Sequence, residues 1–330
     1  LWEEAILPAA GLDELFQESD LVWFGAGRES LAFAFEEDVR LFLASLEAPE
    51  PFSGRHDFFD LQKRWGLDSS ATAQRIWELA WEGRITSDSF AAVRQGIATG
   101  FEPLAPGGRG GLSRWQSSRP MAGTWRALPR PAPADRIEEA EDDKARARQL
   151  LARYGVLFRE LCAAELPALR WGRLQRSLRL LELGGEAFTG HFFAGFEGLQ
   201  FASRDALRLL RGPWDDGERF WMNACDPASP CGVLDGMPPR VPSTWLAFRG
   251  ATLVLVARRN GREVECREAP AVADLALFHA LLGRAVRPLA PVVVAEIDGQ
   301  PAARSGHGAA FREASFLPDR DELVLERRYA

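Results

Sequence analysis

The 330-residue chain has a formal net charge of −7, with 46% hydrophobic and 26% charged residues. These proportions fit a globular protein of two or three domains and do not favour a generic polyanion binder, so any nucleic-acid contact must come from a local basic surface. No run approaches the roughly 18 apolar residues of a membrane helix, no signal peptide is visible, and the four cysteines are scattered. We therefore expect a cytoplasmic protein without a membrane partner.

Residues 1–47 are predicted to be the C-terminal part of a winged-helix module, in which a helical core carries a β-hairpin wing. The last helix is predicted in GLDELFQESD, and the two strands of the wing in LVWFGAG and LAFAF. Because the earlier part of such a module is missing and the chain begins at Leu1 rather than Met, we expect a piece of a longer polypeptide.

Residues 48–100 are predicted to form a second winged-helix module. Helices are predicted in HDFFDLQKRWG and SSATAQRIWELAWEGR, followed by a short strand and a helix in ITSDSFAAVRQG. The outer face of the second helix carries Glu78 and Glu82 beside Arg75. This mixed charge favours a packing module over the main nucleic-acid reader.

Residues 101–134 are rich in Pro, Gly, Ser and Arg, a composition that predicts a linker or a long exposed loop. Trp115 and Trp125 lie among its arginines. We favour the interpretation that both tryptophans dock into neighbouring modules. The alternative is that they stack on the bases of a single-stranded nucleic acid.

The most informative pattern covers residues 135–214, where three predicted helices are followed by a glycine-punctuated hairpin and a closing helix. One side of the third helix forms an apolar stripe at helical spacing, made of Trp171, Leu174, Leu178 and Leu181. The other side presents four arginines, Arg170, Arg173, Arg176 and Arg179. Guanidinium groups suit phosphate contacts, so we predict that this helix, with His191 of the hairpin, binds nucleic acid. The alternative is an ordinary solvated surface.

From residue 215 onward the pattern alternates, which predicts strands. Residues 215–270 contain two hairpin signals, Arg249-Gly250 and Asn260-Gly261, and are predicted to form a small β-barrel or meander. Residues 271–330 are predicted to be a C-terminal α+β module. The predicted fold class is thus α+β, with tandem winged-helix modules, a small β-barrel and a C-terminal α+β segment.

Most sequence signatures of catalysis are absent. There is no phosphate-binding GxxxxGK[ST] motif, so ATP hydrolysis is not expected within these residues. Cys225 and Cys231 lie six residues apart without a second pair, which makes a poor zinc site, and we expect no metal. The four histidines have no Ser or Cys motif as partner, so a hydrolase triad is not supported.

Four blocks occur in a characteristic order: LLARYGVLFRELCAAE, LELGGEAFTGHFFAGFEGLQFA, NACDPASPCG, and EIDGQPA with LVLERRY. Together with EAILPA, LVWFGAG and SDSFAAVR they resemble the C-terminal region of bacterial Lhr, the large helicase-related superfamily 2 proteins. The resemblance implies an ATP-dependent helicase core upstream, with its ATP and Mg²⁺, and a role in DNA repair. We also expect single-stranded DNA as a partner, and a homo-oligomer such as a tetramer.

That region is also similar to AlkZ-type DNA glycosylases, whose catalytic motif pairs a Gln with a Gln or Asp two residues later. The nearest match is Gln200-Phe201-Ala202, which lacks the second polar residue, so the alternative is that Gln200 is a wing residue facing solvent or backbone. Candidate carboxylates in turns are Asp226, Asp298, Asp319 and Asp321. Three functions follow: a DNA-binding and assembly region of the helicase, a glycosylase that excises damaged or deaminated bases, or a protein–protein scaffold without DNA contact.

Overall fold

The computed structural model describes most of the chain, and statements below concern these residues: 9–28, 30–43, 52–99, 101, 121–128, 133–213, 215–226, 228–283 and 289–327. The chain divides into two units, Leu1–Arg204 and Asp205–Ala330. Both contain helices and sheets, which confirms the α+β class. No described helix is long and apolar enough to cross a membrane.

The first segment contains the predicted helix and two-stranded hairpin. Its elements are α1 (Ala9–Glu18), β1 (Leu21–Gly25), β2 (Leu31–Phe35) and α2 (Val39–Phe42). The strands pair antiparallel, with Leu21 opposite Phe35. Trp23 of β1 is fully buried, and its carbonyl accepts a hydrogen bond of 2.6 Å from the hydroxyl of Thr86. This hairpin is therefore anchored in the core of the module that follows.

The second segment forms a small helical module around a three-stranded sheet. Its elements are β3 (Arg55–His56), α3 (Phe58–Trp65), α4 (Ser69–Trp81), β4 (Ile85–Ser87), α5 (Ala91–Thr99) and β5 (Trp125–Ala127). Asp57 and Asp68 are the N-cap residues of α3 and α4, and their side chains each accept a hydrogen bond from a backbone N–H of the first turn. The sheet order is β3-β5-β4, so the strand latest in sequence lies in the middle.

Residues 121–128 of the predicted linker contain a strand and buried side chains rather than an exposed loop. Trp125 is completely buried and its ring contacts that of Trp23 edge to face, with centroids 5.8 Å apart. Met121 and Leu128 are buried as well. The Pro- and Gly-rich composition hid a short strand that supplies core side chains. Residues 102–120, with Trp115, and residues 129–132 lie outside the described residues.

The third segment has the predicted winged-helix order. Its elements are α6 (Arg136–Tyr154), β6 (Val156–Leu157), α7 (Arg159–Ala163), α8 (Trp171–Leu183), β7 (Ala187–Gly190), β8 (Gln200–Ser203) and α9 (Arg204–Arg211). The hairpin β7–β8 is the wing, and β6 pairs with its second strand in a sheet of order β6-β8-β7. Residues of α6, α8 and the wing share one buried hydrophobic cluster.

After α9, the described residues of the second unit form two sheets and two short α-helices. Its elements are β9 (Arg219–Asn223), β10 (Trp245–Arg249), β11 (Thr252–Arg258), β12 (Glu263–Cys266), α10 (Ala276–Gly283), β13 (Pro291–Val294), β14 (Glu296–Ile297), β15 (Gln300–Pro301), α11 (Gly308–Glu313), β16 (Leu317–Asp319) and β17 (Glu322–Glu326). Gly250 and Asn260 both have positive φ in the turns that the sequence predicted.

The larger sheet has the order β15-β14-β12-β11-β10-β9, and the smaller has the order β13-β17-β16. Strands β9 to β12 form the predicted antiparallel meander. The edge strands β15 and β9 do not pair with each other in the described part of the chain. The sheet is therefore open, and the barrel alternative is wrong.

Candidate nucleic-acid interface

Helix α8 is held in the winged-helix module by the apolar stripe that the sequence predicted. Leu174 and Leu178 are fully buried and Leu181 nearly so. Trp171, at the start of the helix, is half-buried and its ring lies 5.8 Å from that of Phe201 in the wing. This packing fixes both the rotation of the helix and its position beside the wing, and so decides which side chains point outward.

Two of the four predicted arginines face solvent without an intramolecular charge partner. Arg170 and Arg176 are exposed, and neither forms an ion pair among the described residues. Arg170 is the N-cap residue of α8, where no side chain accepts a hydrogen bond from the first turn and no acidic residue occurs. The unpaired backbone N–H groups of a helix start attract anions. Arg170 and Arg176 can thus supply positive charge beside such donors.

The charges of the other two arginines are partly neutralised by acidic side chains, so the predicted binding face is reduced to Arg170 and Arg176. Arg173 Nε donates a hydrogen bond of 2.7 Å to Asp143, and its Nη2 lies 3.4 Å from Glu139, both on α6. Arg179 Nη1 lies 2.7 Å from Glu182, one turn along its own helix. The sequence pattern missed these partners because it placed Arg173 opposite the apolar stripe. At about 100° per residue, Arg173 lies about 80° from Leu181, the nearest residue of the stripe, and its long side chain still reaches the acidic residues of α6.

Gln200, which the sequence offered as a candidate catalytic residue or as a wing residue, has a structural role in the wing. Its side chain is fully buried. Oε1 accepts hydrogen bonds of 2.8 Å from the backbone N–H groups of both Phe192 and Phe193, and Nε2 donates one of 2.8 Å to the carbonyl of Phe193. An amide engaged in this way and shielded from solvent cannot orient a water molecule on a substrate. It closes the wing loop instead.

The wing loop presents a mixed polar and apolar surface. His191 is exposed at the start of the loop, and the side chains of Phe193 and Leu199 are also exposed. The Phe196 ring lies only 4.2 Å from that of Phe158, so it folds the loop back onto the module. The loop therefore exposes an imidazole and two apolar side chains, and the contact between Phe196 and Phe158 holds it against the module.

The predicted carboxylates differ in whether they have a hydrogen-bond or ion-pair partner within the protein. Asp226 Oδ1 accepts a hydrogen bond of 2.8 Å from the N–H of Ala228, so it stabilises a turn. Asp321 lies 2.8 Å from Arg304, at the hairpin between β16 and β17. Asp319 ends β16, is exposed, and has no ion-pair or hydrogen-bond partner for its carboxylate among the described residues. Asp319 is thus the carboxylate with the most freedom to act on a substrate.

Asp298 belongs to a cluster that sequence reasoning missed. One ligand atom from each of Cys266, Asp298 and His307 lies within 4.8 Å of the other two. Burial raises the pKa of the Cys266 thiol to about 12, and the charges of Asp298 and Glu265 act in the same direction. No sequence motif joins these residues, which stand 32 and 9 positions apart. Cys225 and Cys231, the two cysteines that the sequence analysis weighed as zinc ligands, differ in burial, since Cys225 is exposed and Cys231 is buried.

These features define a winged-helix protein whose helix α8 carries exposed arginines beside the wing. Residues 136–221 match the family model of the winged-helix domain of large helicase-related proteins. This match confirms the resemblance to the C-terminal region of Lhr that the sequence blocks predicted, in the segment that carries two of them.

Two curated relatives extend the similarity beyond that segment. One, from Mycolicibacterium smegmatis, is named "Lhr helicase/ probable uracil glycosylase" and is 28% identical over 319 residues, which cover 82% of this chain and 21% of the relative. The other, from Escherichia coli K12, is named "Lhr helicase/uracil glycosylase" and is 27% identical over 288 residues, covering 76% of this chain and 18% of the relative. The chain thus spans about a fifth of the length of the curated relatives it matches.

Proposed function

We propose that this chain is the C-terminal accessory region of an Lhr-type, ATP-dependent DNA helicase and that it binds single-stranded DNA through the start of α8 and the wing. The observation that carries the proposal is the pair of exposed arginines, Arg170 and Arg176, on the outward side of a recognition helix whose N-terminus carries no acidic residue. The relatives are named as helicases, which supports a motor elsewhere in the same polypeptide, where ATP and Mg²⁺ would act.

The overall charge of −7 favours a short and local contact. Acidic residues repel phosphate over most of the surface, so the strand has to meet the protein where cations lie without acidic neighbours. Arg173 does not meet this condition, because Asp143 and Glu139 share its charge. We therefore assign phosphate contacts to Arg170 and Arg176 and a contact with the sugar or base to His191.

The proposal is tested by measuring the affinity for a fluorescent oligothymidylate at several salt concentrations. In the double variant Arg170→Gln, Arg176→Gln, affinity should fall about tenfold, taking about 0.7 kcal/mol for each exposed contact. The slope of log K against log salt should become shallower by about 1.4, since each phosphate contact on a single strand contributes about 0.7.

Two variants serve as matched controls, each removing one arginine. Arg75→Gln removes an exposed arginine from α4, where Glu78 lies 3.5 Å away, and should leave the slope unchanged. Arg173→Gln should change it far less than the double variant does. If all three variants lower the affinity and the slope equally per charge removed, binding depends on total charge alone and the assigned interface is wrong.

A second candidate function is excision of uracil or another damaged base, and the names of both relatives favour it. A glycosylase takes the base out of the stack and stabilises positive charge on the sugar, for which a free carboxylate is suited. Among the predicted residues, Asp319 best meets this requirement, because Asp226 caps a turn and Asp321 pairs with Arg304.

The test is alkali cleavage of a uracil-containing single strand after incubation with the protein. Excision should be lost in Asp319→Asn and retained in Asp321→Asn, which differs in a carboxylate two residues away with a partner of its own. Absence of product with stoichiometric wild-type protein would remove this function and leave the DNA-binding proposal intact, since the two assays are independent.

A further inference from the structure

The second unit brings together three metal-binding side chains that come from separate elements. Cys266 ends β12, Asp298 lies in the turn between β14 and β15, and His307 directly precedes α11. They supply a sulfur, an oxygen and a nitrogen, and these atoms all lie within 4.8 Å of one another. We propose that Cys266, Asp298 and His307 form a three-ligand site for a divalent zinc ion.

The spacing of the imidazole and the carboxylate supports this proposal. His307 Nε2 lies 3.6 Å from Asp298 Oδ2, which is longer than a hydrogen bond between these atom types. Around a tetrahedral zinc, with ligand distances of about 2.0–2.3 Å, nitrogen and oxygen ligands stand about 3.3 Å apart and sulfur stands about 3.5 Å from either. The pair therefore needs a shift of only about 0.3 Å to share an ion, and the thiol needs one of no more than about 1.3 Å.

The carboxylate is already held in place for this role. Asp298 Oδ1 accepts a hydrogen bond of 2.7 Å from the backbone N–H of Cys266, which leaves Oδ2 turned toward His307. Metal-binding carboxylates commonly have their second oxygen fixed by such a hydrogen bond. Asp298 also has a φ of 52°, a left-handed conformation that its place in the β14–β15 turn imposes. The turn and the strand end therefore position the ligand before any ion arrives.

The chemistry of the three groups favours zinc over magnesium or calcium. Thiolate and imidazole are zinc ligands, whereas magnesium and calcium prefer oxygen ligands alone. With three protein ligands, the fourth position remains open to water or to a polar group of a ligand, because Asp298 is exposed.

The site would also link parts of the second unit that are distant in sequence. Cys266 belongs to the larger sheet, whereas His307 directly precedes the helix α11, whose Phe311 is fully buried in the core. An ion bound to both ties the end of β12 to this helix. Metal binding should therefore raise the thermal stability of this unit in proportion to the logarithm of free zinc.

The test uses the full 330-residue protein, freed of metal with a chelator and titrated with Co²⁺ as a spectroscopic probe and then with Zn²⁺. We expect one Co²⁺ per chain, with a thiolate-to-cobalt charge-transfer band in the near ultraviolet that Zn²⁺ removes. Cys266→Ser should abolish the band, and His307→Asn should weaken zinc binding by more than the roughly 10- to 100-fold that follows loss of a hydrogen bond to a ligand.

The matched control is Cys225→Ser, which removes an exposed thiol outside the cluster and should leave the band and the affinity unchanged. Cys266→Ser is nearly isosteric, and its circular dichroism should match that of the wild-type protein. The proposal is overturned if wild-type protein gives no thiolate band, or if the band persists in Cys266→Ser and disappears in Cys225→Ser.

Discussion

The buried side chain of Gln200 allows a sharp prediction about the wing. Its amide makes three hydrogen bonds of 2.8 Å to the backbone of Phe192 and Phe193. Each contributes about 1 kcal/mol net, so Gln200→Ala should cost about 3 kcal/mol. The cost arises mainly because two N–H groups of the wing loop lose their acceptor and have to find water.

This loss should appear as local opening of the wing before the module unfolds as a whole. The assay is hydrogen exchange at the amides of Phe192 and Phe193. A loss of about 3 kcal/mol corresponds to roughly a hundredfold faster exchange. Gln200→Glu is the matched variant, since it keeps an acceptor for the two N–H groups but loses the donor to the Phe193 carbonyl and buries a charge.

We expect Gln200→Glu to restore part of the protection at low pH, where the carboxyl group is protonated and can donate a hydrogen bond. The structural role assigned to Gln200 is refuted if Gln200→Ala exchanges at both amides within threefold of the wild-type rate. In that case the hydrogen bonds contribute nothing measurable to the stability of the wing, and Gln200 is again a candidate catalytic residue.

Three further predictions concern stability and assembly. Asp274→Asn should lower the free energy of unfolding of the second unit by about 3 kcal/mol in denaturant titrations, because its buried carboxylate pairs with Arg219 and Arg249. Burial raises the pKa of Asp274, but hydrogen bonds from Arg249, from the N–H of Ala271 and from Arg219 outweigh it and lower that pKa. The difference in unfolding free energy between wild type and Asp274→Asn should therefore be complete above about pH 4 and vanish as the pH falls through the lowered pKa. A difference that grows on acidification contradicts this account. Trp125→Ala should cost about 3–5 kcal/mol through the cavity that it leaves, and a change below 1 kcal/mol in chemical denaturation would mean that β5 does not belong to the core. The expected tetramer is checked by sedimentation velocity with and without DNA, where a monomer at all concentrations refutes it.

Regular hydrophobic spacing let the sequence predict many local elements. The stripe of Leu174, Leu178 and Leu181 predicted the buried side of α8 because a helix brings residues three and four apart onto one side. Glycine and asparagine in the turns near Gly250 and Asn260 likewise predicted the hairpins of the second unit, since both adopt positive φ at low cost. These patterns involve residues close together in sequence, and the helices and turns that they predict depend only on local backbone geometry.

Features that depend on distant parts of the chain could not be predicted in this way. The partner of Arg173 lies 30 residues earlier on α6, and nothing in the spacing of the arginines indicates it. Gln200 was expected to be a wing residue or a catalytic one, and only the path of the loop shows that its amide meets the backbone of Phe193. The cluster of Cys266, Asp298 and His307 depends on how three elements meet, so the separation of its residues in sequence concealed it.

The position of β5 affects the order in which the second segment can assemble. Among the described residues, β3 and β4 are joined in the sheet only through β5, which is synthesised about 40 residues after β4. On the ribosome, a chain that ends near residue 100 therefore holds two strands without the one that bridges them, and a hydrophobic site without Trp125. A protein split between residues 101 and 121 should consequently behave as a complementation pair, whose two pieces recover the fold when they are mixed.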